Sequence, residues 1–129
     1  MIYKTYDELA GTKGETVLVG GEAVTRRFLL AEDRVGFTLS DIRVKAGQVA
    51  TLWYKNHIEA NYVIEGEGTL VELDNGVERP LSPGVMYCLD KHDRHQVIAK
   101  TDMRVICVFN PPLVGGESHD EDGAYAASV

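Results

Sequence analysis

Little in this chain of 129 residues can cross-link it, span a membrane or grip a polyanion. There are two cysteines, Cys88 and Cys107. So few thiols cannot form a dense disulfide framework, and no spacing asks for one. No apolar run is long enough to cross a bilayer as a helix. The opening MIYKTYDELAG lacks the basic-then-apolar order of a secretory signal. The cytoplasm is therefore the expected compartment and reduced thiols the expected state. Thirteen Lys and Arg stand against 20 Asp and Glu, a net charge of −7. Phosphate contacts need a cationic surface, so no nucleic-acid partner is expected. Long helical periodicities are missing too.

What the chain does have is glycine, 13 in all, and 44% apolar residues to fill a core. Short strands between turns are the expected result. They read as Thr16–Val19, Val24–Leu30, Val35–Val44, Gln48–Tyr54, Ile58–Glu65, Thr69–Leu73, Val77–Leu81, Val85–Leu89, His95–Ala99 and Met103–Phe109. Gly20-Gly21 splits the first pair, and Asp74-Asn75-Gly76 is a strong hairpin turn. Thr5–Leu9 reads as a short helical turn or a strand. The fold class is all-β, a jelly-roll barrel in one domain over residues 1–129. The acidic tail, 113–129, is either solvated or folded over the barrel mouth.

Alternation along a strand puts Met103, Val105, Cys107 and Phe109 on one face. It puts Glu59, Asn61 and Val63 together, opposite Ile58, Ala60, Tyr62 and Ile64. A carboxylate on such an apolar strand is either exposed near the end or held inside for a purpose. Glu59, Tyr87 and His95 are candidate metal ligands. Carboxylate plus imidazole suits Fe(II), Mn(II) or Zn(II) without choosing among them. Tyr87 would serve only as phenolate, which a cation must favour. His92, in Asp90-Lys91-His92-Asp93, reads as an exposed turn residue, and His57 as a polar turn residue beside Asn56. Cys107 reads as a small core residue. Arg27 could clamp a carboxylate with its planar fork. If the tail folds inward, Glu117 and His119 become acid–base candidates.

Two spacings organise these residues. One runs Gly47, Trp53, Lys55, Glu59, Gly66; the other runs Gly84, Asp90, His92, His95. Both resemble the frame of a cupin metal barrel with several usual letters replaced. More specific stretches are similar to the ectoine synthase family. They are Tyr54-Lys55-Asn56-His57-Ile58-Glu59, Glu65-Gly66-Glu67-Gly68, Leu89 to His95, Cys107 to Leu113, and Ser118 to Gly123. Together they run from about Gly47 to Gly123.

The resemblance implies a cupin barrel, generally a head-to-tail homodimer. It implies closure of a ring in N-γ-acetyl-2,4-diaminobutyrate, with loss of water, to give ectoine. The family metal, Fe(II), would fall to Glu59, Tyr87 and His95. Tyr54, Glu117 and His119 would carry protons, and Arg27, Cys107 and Phe109 would line the pocket. The departures lie on one wall. Ala23 stands where the family commonly has Trp, and Ser40 and Ile42 occupy two pocket positions that are usually polar. Substrate identity therefore stays open between the acetyl compound, another N-acyl diamino acid and a glutamine-like amide. A cupin iron dioxygenase, a non-enzymatic small-molecule binder and a structural domain without a site are the rival classes.

Overall fold

Turns cut the chain into short strands throughout the computed structural model, which describes residues 1–18 and 23–127. In chain order the strands are β1 (Glu15–Leu18), β2 (Ala23–Arg27), β3 (Thr38–Val44), β4 (Val49–Leu52), β5 (Ile58–Glu65), β6 (Gly68–Glu72), β7 (Glu78–Leu81), β8 (Met86–Cys88), β9 (His95–Ala99) and β10 (Met103–Asn110). They form two sheets. One has the order β1-β2-β3-β10-β5-β8 and the other β4-β9-β6-β7. Neighbouring strands pair antiparallel. This is the expected all-β, cupin-type jelly roll.

Strand limits move where local chemistry intervenes. β2 stops at Arg27 and β3 starts only at Thr38, because Ala31–Asp33 forms a 3-10 turn. Arg34 in the left-handed region (φ 57) closes that turn. Thr5–Leu9 settles as a single 3-10 turn over Asp7–Leu9. The hairpin at Asp74-Asn75-Gly76 forms, with Gly76 at φ 73 and the Val77 amide donating to Asn75 Oδ1. Val19 and the Gly20-Gly21 break lie outside the described residues.

The core follows the alternation. Met103, Val105, Cys107 and Phe109 are buried, as are Glu59, Asn61 and Val63. The surprise is on β5. Its more apolar face, with Ile58 and Tyr62, is exposed, and its polar face points into the barrel. Burying a carboxylate and an amide costs free energy unless they are engaged inside.

The tail joins the same core. Leu113, Ala124 and Tyr125 are buried. Gly123 makes this docking possible. It has φ 75, and a Cβ there would lie 2.4 Å from the Thr51 carbonyl. Its own carbonyl accepts from the Trp53 amide at 3.0 Å, just past β4.

Candidate active site

Register brings the polar residues into one line. Arg27, Ser40, Cys107, Asn61 and Tyr87 sit side by side across β2, β3, β10, β5 and β8. One step along, Thr38, Phe109 and Glu59 form the next row. From the facing sheet, β9 brings His95, whose ring centroid is 6.5 Å from that of Tyr87. Tyr54, just after β4, lies 6.0 Å from His95 and edge-on to Phe109 at 5.3 Å. A cavity between the sheets is lined by Tyr54, Glu59, Asn61, Tyr87, Cys107 and His119, and by aliphatic residues beyond them. Other surface depressions, around Arg43 and Arg104 or around Lys4 and Lys13, lie outside the barrel.

Glu59 is 6% exposed, and its carboxylate accepts from Asn61 Nδ2 at 2.8 Å. Burial pushes its carboxyl up to about 7, against the lowering pull of that hydrogen bond. Asn61 Oδ1 in turn accepts from the Cys107 thiol at 2.9 Å. Burial raises the Cys107 thiol well above its usual range, so it stays protonated and can donate. Cys107, Asn61 and Glu59 thus form one buried chain. Sequence parity placed Asn61 beside Glu59 but gave it no role. The signal that was available is an amide on the inward face of an apolar strand.

His95 is 1% exposed. Its Nδ1–H donates to the Asp93 carbonyl at 3.0 Å, which leaves Nε2 as the bare nitrogen. That Nε2 is buried and has no hydrogen-bond partner among the described residues. Burial lowers the His95 pKa, so the ring is neutral at pH 7. Burial also raises the Tyr87 phenol, with the nearby Glu59 adding to it. Among the described residues no three of His, Cys, Asp and Glu converge as a ligand group. A metal here would need the Tyr87 oxygen as its third ligand.

On the tail side, Tyr54 Oη and His119 Nε2 lie 2.7 Å apart. Burial, and Arg27 after it, press the His119 pKa down to about 4. Burial raises the Tyr54 phenol well above its ordinary value. The phenol therefore donates and the neutral imidazole accepts. Tyr125 stacks on His119 with centroids 4.5 Å apart and planes 10° off parallel. The Arg27 guanidinium lies 5.2 Å over the Tyr125 ring and donates to the Glu117 carbonyl at 2.9 Å. The Glu117 carboxylate accepts from the Val114 and Gly115 amides and lies 3.6 Å from Arg27.

Two sequence expectations for the histidines divide here. His92 is exposed, at φ 53, and donates to the Tyr54 carbonyl. His57 is no turn-surface residue: it is fully buried, edge-on to Phe109 and Tyr125. The returning tail packs over it, a docking that the sequence offered only as one of two readings. Ser40 is buried, with its Oγ unpartnered among the described residues, and Ile42 lines the cavity. Lys55 pairs with Asp122 at the surface, so it adds nothing to the interior.

A double-sheet barrel with its polar side chains gathered inside defines a cupin-class protein. The ectoine synthase family profile matches residues 1–129. An L-ectoine synthase of Oceanobacillus iheyensis is 51% identical, covering 97% of this chain and 96% of that one. One from Mycolicibacterium gilvum is 43% identical over 100% and 98%. The crystal structure of ectoine synthase from P. lautus superposes with a TM-score of 0.80 at 46% identity, over 89% of this chain and 81% of that one. KdgF from Halomonas sp. shares the fold, with a TM-score of 0.67 at 20% identity over 83% and 92%. The chain belongs to the ectoine synthase family, and it is an enzyme of the lyase class.

Proposed function

We propose that this enzyme closes the ring of N-γ-acetyl-2,4-diaminobutyrate, with loss of one water, to give ectoine. The observation that carries the reading is one interior cavity lined by a carboxylate, phenols, a thiol and an imidazole in a family of ectoine synthases. Glu59, Tyr87 and His95 fit a divalent transition-metal or zinc cation such as Fe(II), Mn(II) or Zn(II). The bare, buried His95 Nε2 and the uncharged surroundings of the Glu59 carboxylate are the support for that fit. Such a cation supplies Lewis acidity toward an amide carbonyl, a poor electrophile without it.

The chain's own residues do the rest. The enclosed barrel holds the substrate curled, so that closure is entropically cheap. The α-ammonium must lose a proton before its nitrogen attacks. Tyr54 is the outlet, because its hydroxyl can take that proton while passing its own to His119 Nε2. The protonated His119 then serves as the acid for the departing hydroxyl. Arg27, held by Thr16 Oγ1 and the Glu117 carbonyl at the head of the polar row, is the cation for the substrate carboxylate, and Phe109 packs against Tyr54 behind the reacting centre. Ser40 Oγ and the Cys107 thiol flank the same row. Glu117 anchors the segment 113–127 through Arg27, and this tail closes the barrel mouth.

We further propose a cytoplasmic homodimer. Ile58, Tyr62 and Met86 are exposed on the outer face of β5 and the edge strand β8, where a second copy would cover them. Light scattering should then give twice 14.2 kDa.

The test of the activity is anaerobic Fe(II) loading, followed by mass detection of the loss of one water. Glu59→Ala and His95→Ala should lose both bound iron and turnover. Full iron content in both variants sinks the ligand assignment, and an unreactive acetyl substrate sinks the activity.

A further inference from the structure

The polar row fills only one end of the cavity. Below it, in register, come Ile42 and Val105, then Ala23 and Val44. Ala50 and Val97 face them from the other sheet. Every one of these six side chains is aliphatic, and all line the same cavity as Tyr54, Glu59 and Tyr87. Gln48 marks the far end, with its amide turned to the Val49 carbonyl at 3.4 Å. Two residues along a strand span about 6.7 Å. The aliphatic part is therefore two such steps deep; Ala23, whose side chain is a single methyl, is buried at its far step, and Ile42, Val44, Ala50 and Val97 are half-buried around it.

A substrate with its reacting carbonyl at the polar row would put an acetyl methyl at the first of these steps and leave the second to longer chains. An apolar space with no partner atoms forfeits dispersion contacts that further methylenes would supply. None of the six carries a charge or a hydrogen-bonding group; Gln48, and Thr25 buried beside Ile42 in the same row, are the polar neighbours. We propose that this aliphatic chamber is an acyl-chain pocket, and that the enzyme cyclises N-γ-acyl-2,4-diaminobutyrates with straight propionyl or butyryl groups as well as acetyl. The inference rests on the ring-closing reading above and names its substrate class. The chemistry balances as for acetyl. One C–N bond forms between the α-amine and the acyl carbon, and the carbonyl oxygen leaves as water with two protons from nitrogen.

A dry place for one methylene is worth about fourfold in binding or in kcat/KM. Iron-loaded enzyme is assayed with the acetyl, propionyl and butyryl substrates, and the same panel is titrated by calorimetry. The expected result is a kcat/KM and an affinity for butyryl equal to or above those for acetyl. Ala23→Leu should cut the butyryl-to-acetyl ratio at least about tenfold. Ile42→Ala, which removes atoms and keeps the core uncrowded, should leave that ratio equal or raise it. Turnover of acetyl with a butyryl kcat/KM below that for acetyl would overturn the inference and leave the ring-closing reading intact. A panel on which no member reacts or binds would overturn both.

Discussion

Asn61 offers the sharpest perturbation. Its amide donates to the Glu59 carboxylate, and its oxygen accepts a hydrogen bond from the Cys107 thiol. Asn61→Leu keeps the branched shape and the number of heavy atoms and removes both contacts. A hydrogen bond to a charged group is worth about 1.5–3 kcal/mol. Without it, burial acts alone on a carboxyl already lifted to about 7, and the pKa moves higher still. A cation needs Glu59 ionised, so affinity should fall about 10- to 100-fold, the usual cost of losing a partner behind a metal ligand. Anaerobic Fe(II) titration by calorimetry at pH 6.5 measures this, with urea unfolding as the check that the variant folds. The gap should narrow as pH rises, because ionisation then no longer depends on Asn61. A folded Asn61→Leu protein with wild-type iron affinity at pH 6.5 would refute the argument that this chain of contacts tunes Glu59.

His119 supplies a pH prediction. Its folded pKa is about 4 against an ordinary 6.5, so between those values the unfolded chain binds a proton that the folded chain does not. Its contribution is complete above pH 6.5 and is lost as pH falls toward 4, a difference of about 3 kcal/mol at most. Glu59 runs the other way in metal-free protein, since its raised pKa favours the folded state at low pH. Urea midpoints at pH 4.5 and 7.5 for wild type and His119→Gln isolate the histidine: the variant should lose less stability on acidification, and equal losses would be contrary evidence. Tyr54→Phe removes the hydroxyl 2.7 Å from His119, and kcat should drop about 10²- to 10⁴-fold with iron content unchanged. A kcat within fivefold of wild type would remove Tyr54 from the proton path. Tyr125→Ala empties a buried aromatic site between Tyr54, Phe109 and His119, at about 3–5 kcal/mol by urea unfolding. A loss under about 1 kcal/mol would mean the tail is not part of the cooperative core.

The strands were legible because their signals are local. Ile58–Glu65 and His95–Ala99 keep the limits read from the sequence, since each is a β-type run bounded by Gly, Asp or Arg-containing turns. The parity of Met103–Phe109 was legible for the same reason. Partial burial was harder to read. Ile58 and Tyr62 look more like interior residues than Glu59 and Asn61 do, yet they face outward. Hydrophobicity alone gives the wrong side of β5, and only the ligand spacing points to the right one. The least legible part was the tail. Tyr125 reaches His119 and Arg27, 98 positions before it in the latter case, through no local pattern at all.

That long-range closure changes what the acid–base residues can do. In an exposed tail, a histidine beside Asp120 would be expected near its ordinary pKa or above it. Packed under Tyr125 and beside Arg27, His119 is instead held neutral, and the Tyr54 phenol is held protonated. At rest the hydrogen bond between them can then run in only one direction, from phenol to imidazole. Removing the tail would restore an ordinary histidine and take away the direction. The seated tail is therefore part of the proposed proton path, acting on the pKa values of the residues it covers.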